Sequence, residues 1–145
     1  MNKDILLRQV HPAHFPNNTL SSGAFRPTPS DKDQLSVDCG NMTTPKLSFE
    51  LHKKKTRQKP DGTTVHLETV GTWGFTRDLC HTENLRVLPD PIVGDTSQPD
   101  NIAHHLVDFS SITGKNSKKK NDTVAKRLRQ QALEIGQLWP IEKQE

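Results

Sequence analysis

The chain has 145 residues, a net charge of +3 and a mean hydropathy of −0.78, and only 30% of its residues are hydrophobic. That length predicts one domain, spanning residues 1–145, with a lean core. No run approaches the roughly 20 apolar residues that cross a bilayer, and two cysteines, Cys39 and Cys80, make no disulfide framework.

The opening MNKDILLRQVHP has an apolar run too short for a signal peptide and no small-residue cleavage site. The expected location is therefore the cytoplasm, with both thiols reduced and no membrane partner. Wholesale disorder is excluded by short apolar runs such as ILLRQV, TWGF, LRVL and HHLVDFS, which are what a small sheet needs. Flexible segments are expected near 57–64 and 113–121.

Ile5 to Val10 reads as a first strand, stopped by Pro12 and Pro16. Residues 11–33, rich in Pro, Asn, Ser and Gly, read as a long loop. LSVD at 35–38 is a short strand. Thr44-Pro45 starts a short helix, with Thr as cap and Pro preorganised at the first helical position. Leu47 and Leu51 lie one turn apart on it, and Lys53, Lys54 and Lys55 sit at the favourable end of its dipole. KPDG is a turn. TTVHLETVGTWGFTR is strand-prone, either one strand bent at Gly71 or Gly74 or a hairpin. NLRVLPDP is another short strand, and AHHLVDFS, nearly continuous in apolar character, is an interior one.

From about Lys119 to Ile135, Val124, Leu128, Ala132 and Ile135 recur at helical spacing. Asp122 and Lys126 make a favourable pair one turn apart, Gly136 ends the helix, and Trp139 should fold back over the core edge. Strands and helices without βαβ alternation predict α+β: a small, mostly antiparallel sheet carrying the short helix after Thr44 and a C-terminal amphipathic helix packed on it.

Four groups of residues bear on chemistry. Arg8, His11, His14, Ser21 and Ser22 could serve acid–base chemistry, with imidazole carrying protons and guanidinium gripping a phosphate or a carboxylate. Pro12 disrupts the helical register that two histidines three apart would need to bind a metal. Joined by Asp108, which ends an apolar strand, Arg8, His11 and Ser22 would form the catalytic set of a small metal-independent enzyme acting on RNA or a nucleotide. The same residues have a bland reading as loop and turn hydrogen bonders.

Cys39, Cys80 and His105 offer soft ligands, but no C-x-x-C pair announces zinc and buried structural thiols are the simpler reading. No metal and no cofactor is expected. Two basic clusters, Lys53, Lys54 and Lys55 with Arg57, and Lys118, Lys119 and Lys120 with Lys126, Arg127 and Arg129, could follow a phosphate backbone, although two solvated helix ends would explain the same charges. No aromatic residues interleave with them to stack bases. Finally, Phe15, Leu20 and Phe25, with Arg26, are candidate anchors for a partner protein, although pinning the loop to the core would explain the same apolar residues. Pairing of an edge strand with a partner's sheet is a second docking mode.

Taken in order, RQVHPAH, SSGAFRP, LSVD, TWGFT, LPDP, LVDFS and AKRLRQQALEIGQLWP resemble an uncharacterised family of small bacterial proteins. KKKTRQKPDGTTVHLE reads as an insertion relative to that pattern. The family is associated with accessory genes beside bacterial ubiquitin-like conjugation or anti-phage defence systems. The resemblance implies a non-enzymatic, protein-binding accessory subunit, and it transfers no catalytic residue. The expectation is thus a protein-binding subunit first, an RNA- or nucleotide-directed enzyme second and a nucleic-acid binder third.

Overall fold

The computed structural model describes residues 4–28 and 33–141. Strand β1 (Ile5–Val10) leads through three short 3-10 turns, Pro12–His14, Pro16–Asn18 and Ser22–Phe25, to β2 (Gln34–Cys39). Helix α1 (Pro45–Lys54) follows, then β3 (Thr56–Gln58), β4 (Thr64–His66), β5 (Gly71–Thr76), α2 (Arg77–Thr82), β6 (Arg86–Pro89), β7 (His104–Asp108) and α3 (Ser117–Ile135). Five strands form one antiparallel sheet in the order β5-β1-β2-β7-β6, and β3 and β4 form a separate two-stranded hairpin. The fold is α+β, and β7 lies inside the sheet, as its apolar run predicts.

The two sheet faces differ because side chains alternate along each strand. On one face Leu6, Val37, Trp73, Phe75 and Val107 join Val124, Ala125, Leu128 and Ala132 of α3 in the main core. On the other, Gln9 and Thr72, partners in the β1–β5 register, meet α1: Gln9 donates to Ser48 Oγ at 2.9 Å, and Thr72 Oγ1 donates to the Pro45 carbonyl at 3.0 Å. Helix α1 begins where expected, with Thr44 Oγ1 accepting from the Leu47 amide. It buries Ser48, whereas Leu47 is exposed. The face it packs against is polar, so a serine rather than a leucine fits there.

Residues 11–25 are more ordered than a plain loop, because Pro12 and Pro16 each open a 3-10 turn. Leu20 and Phe25, expected as docking anchors, are fully buried: Phe25 meets Phe75 edge-on at 5.9 Å, and Arg129 Nε of α3 holds the Leu20 carbonyl at 2.6 Å. Phe15, partly buried, tilts against Trp73 at 5.3 Å. These apolar residues pin the segment to the core. Arg26 is tied to Asp122, so Asp122 spends its charge on this clasp rather than on Lys126.

The strand-prone stretch after the KPDG turn is two separate strands. The chain leaves the hairpin after His66 and enters the main sheet at Gly71, where Val70 donates to the Val10 carbonyl. Strand β5 then runs straight into α2, a helix the periodicity did not foretell; Thr76 Oγ1 caps it at the Leu79 amide. Past α3, Gly136 takes φ +90, a region that favours glycine. Leu138 and Trp139 then exchange backbone hydrogen bonds with Thr72, which covers part of the outer edge of β5.

Phe75 is fully enclosed, so Phe75→Ala should cost about 3–5 kcal/mol in urea unfolding. Leu133→Ala, at a site 43% exposed, should change stability by no more than about 0.5 kcal/mol. Equal costs at the two positions would contradict this assignment of the core.

Candidate functional site

Strand β1 pairs with β5 over six residues but with β2 over only two, Leu6↔Cys39 and Leu7↔Asp38. Beyond that the two strands part, and Arg8 fills the seam. Its Nη1 donates to the Ser36 carbonyl at 2.9 Å and its Nε to the Ala24 carbonyl at 2.8 Å. The guanidinium thereby satisfies a backbone acceptor on β2 that strand pairing leaves open.

Arg8 also lines a groove of about 840 Å³ between the turns after β1 and the β3–β4 hairpin. The hairpin wall brings Arg57, Lys59 and His66, and the opposite wall brings His11 and His14, with His52 of α1 at the back. Two guanidiniums, one ammonium and four imidazoles thus face one carboxylate, Glu68. That carboxylate lies 3.7 Å from His11 Nε2. The hairpin holds its shape through a turn in which Asp61 accepts from both the amide and the hydroxyl of Thr63, with Gly62 at φ +90. Leu67 and His66 tie it to α1 through the Lys55 and Lys53 carbonyls.

Two depressions join this groove. Toward α3, His14 and Thr28 also line a hollow of about 510 Å³ that reaches Arg26 and Lys118. Toward the sheet, Arg8, Gln9, His52 and Leu67 also line a smaller cavity of about 220 Å³ with Lys55 on its wall. The bottom of that cavity is a buried polar node. Asp38 accepts from Ser48 Oγ at 2.7 Å and from Asn101 Nδ2 at 2.8 Å, and Gln9 links Ser48 to Thr72. No buried side-chain nitrogen or oxygen among the described residues lacks a partner.

Electrostatics follow from this crowding. Burial, with Lys55 and Arg8 adding to it, pushes the His52 imidazole down to about 4 against a weaker upward pull from Asp38. Burial also lowers His14, with Arg8, His11 and Arg26 acting the same way. Burial lowers Lys55, partly offset by Asp38. Neutral imidazoles beside fixed cations leave the groove positive and supply hydrogen-bonding nitrogens that cost little to desolvate.

Of the residues foreseen as a catalytic set, only Arg8 and His11 share a cavity. His11 Nδ1 also caps the first 3-10 turn, accepting from the Ala13 amide. Ser22 lines a separate depression beside Lys126 and Arg129. Asp108 is buried at the end of β7, where Arg86 Nη2 at 2.6 Å and the amide and hydroxyl of Ser110 take up its oxygens. Burial opposes its charge, but these hydrogen bonds prevail and hold its carboxyl below the usual range. It is a strand-end cap bound to Arg86, and the expected convergence on Arg8 does not occur.

The soft-ligand group does not assemble either: among the described residues no three His, Cys, Asp or Glu side chains are grouped to hold a metal. Cys80 is a buried thiol whose burial pushes it up to about 12, and His105 Nδ1 bonds the Ala103 carbonyl. Of the basic clusters, Lys53 and Lys54 end α1, Lys55 turns into the cavity, and Lys118, Lys119 and Lys120 occupy the first turn of α3. No helix among the described residues is long and apolar enough to cross a membrane.

The groove residues that no expected set names are His52, Lys59 and His66, with Asp38 below them, and Arg57 is expected only as part of a basic cluster. A signal was present, since LHKKKTRQKPDGTTVH holds five cationic side chains and two histidines within residues 51–66. Comparison with protein families, with curated proteins and with solved structures finds no match.

The folded-state value of His52 lies below its ordinary 6.5, so the unfolded chain takes up that proton first as pH falls. The stability that neutral His52 contributes is whole above about 6.5 and is lost between there and about 4. The urea midpoint should decline over that window, and His52→Gln should flatten that part of the decline. A ring titration by NMR with its midpoint near 6.5 would contradict the burial argument.

Proposed function

We propose that the chain binds a phosphate-bearing ligand, RNA or a nucleotide, in the basic groove between the β1 turns and the β3–β4 hairpin. The observation that carries this reading is the lining: seven cationic or imidazole side chains against Glu68. A concave site of one charge sign concentrates ligands of the other sign and steers their approach. Arg57 and Lys59 supply positive charge at the mouth. Arg8 supplies it at the back, held still by two carbonyls, so little entropy is lost when an anion arrives.

The continuation toward Lys118 gives the groove the reach for more than one phosphate. Cleavage is a further step that needs an acid and a base on either side of a phosphate. With Ser22 and Asp108 elsewhere, binding is the reading with support. A docking role as an accessory subunit of a bacterial defence or ubiquitin-like system rests on the family resemblance, because Leu20 and Phe25 are enclosed.

Fluorescence anisotropy with a labelled single-stranded RNA oligonucleotide tests this. Neutralising about three phosphates gives a slope near −2 in log K against log salt, so affinity should fall roughly 20-fold between 50 and 200 mM. Arg57→Ala with Lys59→Ala should weaken binding by roughly tenfold or more at low salt. Lys119→Ala with Lys120→Ala, equal in charge lost but outside the groove, should cost less than about threefold. Equal losses for the two pairs, or no binding at 50 mM salt, would overturn the proposal.

A further inference from the structure

The charged groove has a floor of different chemistry. Arg8, Gln9, His52 and Leu67 border both the groove and the inner cavity of about 220 Å³, so one ligand can enter both. A dry cavity of about 150 Å³ holds a benzene ring, and this larger one has room for a heteroaromatic base. Its walls include Leu7, Leu51 and Leu67, and its polar lining includes Asp38 and Lys55 beside Arg8 and Gln9.

Asp38 accepts one hydrogen bond on each oxygen, from Ser48 and from Asn101. An ionised carboxylate has about four lone-pair sites, so each oxygen keeps acceptor capacity toward a ligand. Lys55 stands close enough to Asp38 for the two charges to interact, and it donates but cannot accept. Asp38 and Lys55 together thus offer two acceptors beside one donor. His52, kept uncharged by burial, adds a flat ring of the kind on which bases stack.

We propose, resting on the anion-binding reading, that this cavity receives the base of the same ligand and selects guanine, with N1–H and the 2-amino group donating to Asp38, O6 accepting from Lys55, and the phosphate lying on Arg57 and Lys59. Adenine sets a ring acceptor against the carboxylate and an amino group against the ammonium. Uracil has one donor between two acceptors, and cytosine one donor beside two acceptors. Guanine alone among the four matches two acceptors next to a donor.

Isothermal titration calorimetry on the full chain with GMP, IMP, AMP, UMP, CMP and ribose 5-phosphate tests the assignment. GMP should bind roughly tenfold or more tightly than AMP, UMP or CMP, the discrimination expected of a bidentate contact. IMP, which lacks only the 2-amino group, should fall between GMP and AMP; it probes Asp38 without disturbing a buried carboxylate. Lys55→Met should shrink the preference for GMP severalfold and leave ribose 5-phosphate binding unchanged, while Arg57→Ala with Lys59→Ala should weaken every ligand alike. Equal affinity for all five nucleotides and ribose 5-phosphate would overturn the base pocket and leave the anion groove standing. A GMP preference that Lys55→Met leaves undiminished would also overturn it. No binding by any of the six would overturn both readings.

Discussion

Strand β1 is asked to do two things that conflict. It pairs fully with β5 on one side, yet only two residues pair with β2 on the other, and a sheet split in this way leaves backbone carbonyls without partners. Arg8 resolves the conflict by placing one guanidinium across the split, bonded to Ser36 and to Ala24. An arginine suits the task because its planar fork holds several acceptors in fixed directions and its charge persists at every relevant pH. The split creates the cavity, and the residue that stabilises the split makes that cavity positive.

Around this seam the two sheet faces have diverged. The face under α3 is sealed by aromatic and aliphatic packing and provides most of the stability a lean composition allows. The face under α1 is built from Gln9, Asp38, Ser48, Thr72 and Asn101, each hydrogen-bonded to another of the group. A network in which every buried polar group is satisfied fixes one arrangement, and a half-satisfied one would cost more than an apolar core. Burying this much polarity at no loss of pairing costs stability that hydrophobic packing would have supplied, and the return is a rigid polar floor beneath an open groove.

The sequence carried much of the fold and less of the site. β1, β2, α1, β6, β7 and α3 were legible because proline, glycine and Thr-Pro signals bracket short runs of clear periodicity. Helix α2 was not, since Arg77–Thr82 is a single capped turn and a half with no amphipathic repeat to detect. Nor was the break after His66, because β-propensity continues through it while the pairing partners change. In the site, Arg8 and His11 stood out as isolated charges among turn residues. Their companions lie more than forty residues away on the hairpin, and only the tertiary approach of that hairpin makes a groove. Leu20 and Phe25 show the complementary error: an apolar residue in a polar loop can be an anchor for a partner or for the loop itself, and composition does not distinguish the two.

The short pairing between Thr72 and the segment around Trp139 has a bearing on how copies of this chain behave toward one another. An outer strand whose amide groups are open is a template for intermolecular ladders. Here the chain's own tail occupies part of that template on β5. At the opposite margin, β6 is four residues long and ends in Pro89, which cannot donate a rung. Both margins are therefore poor seeds for lateral growth.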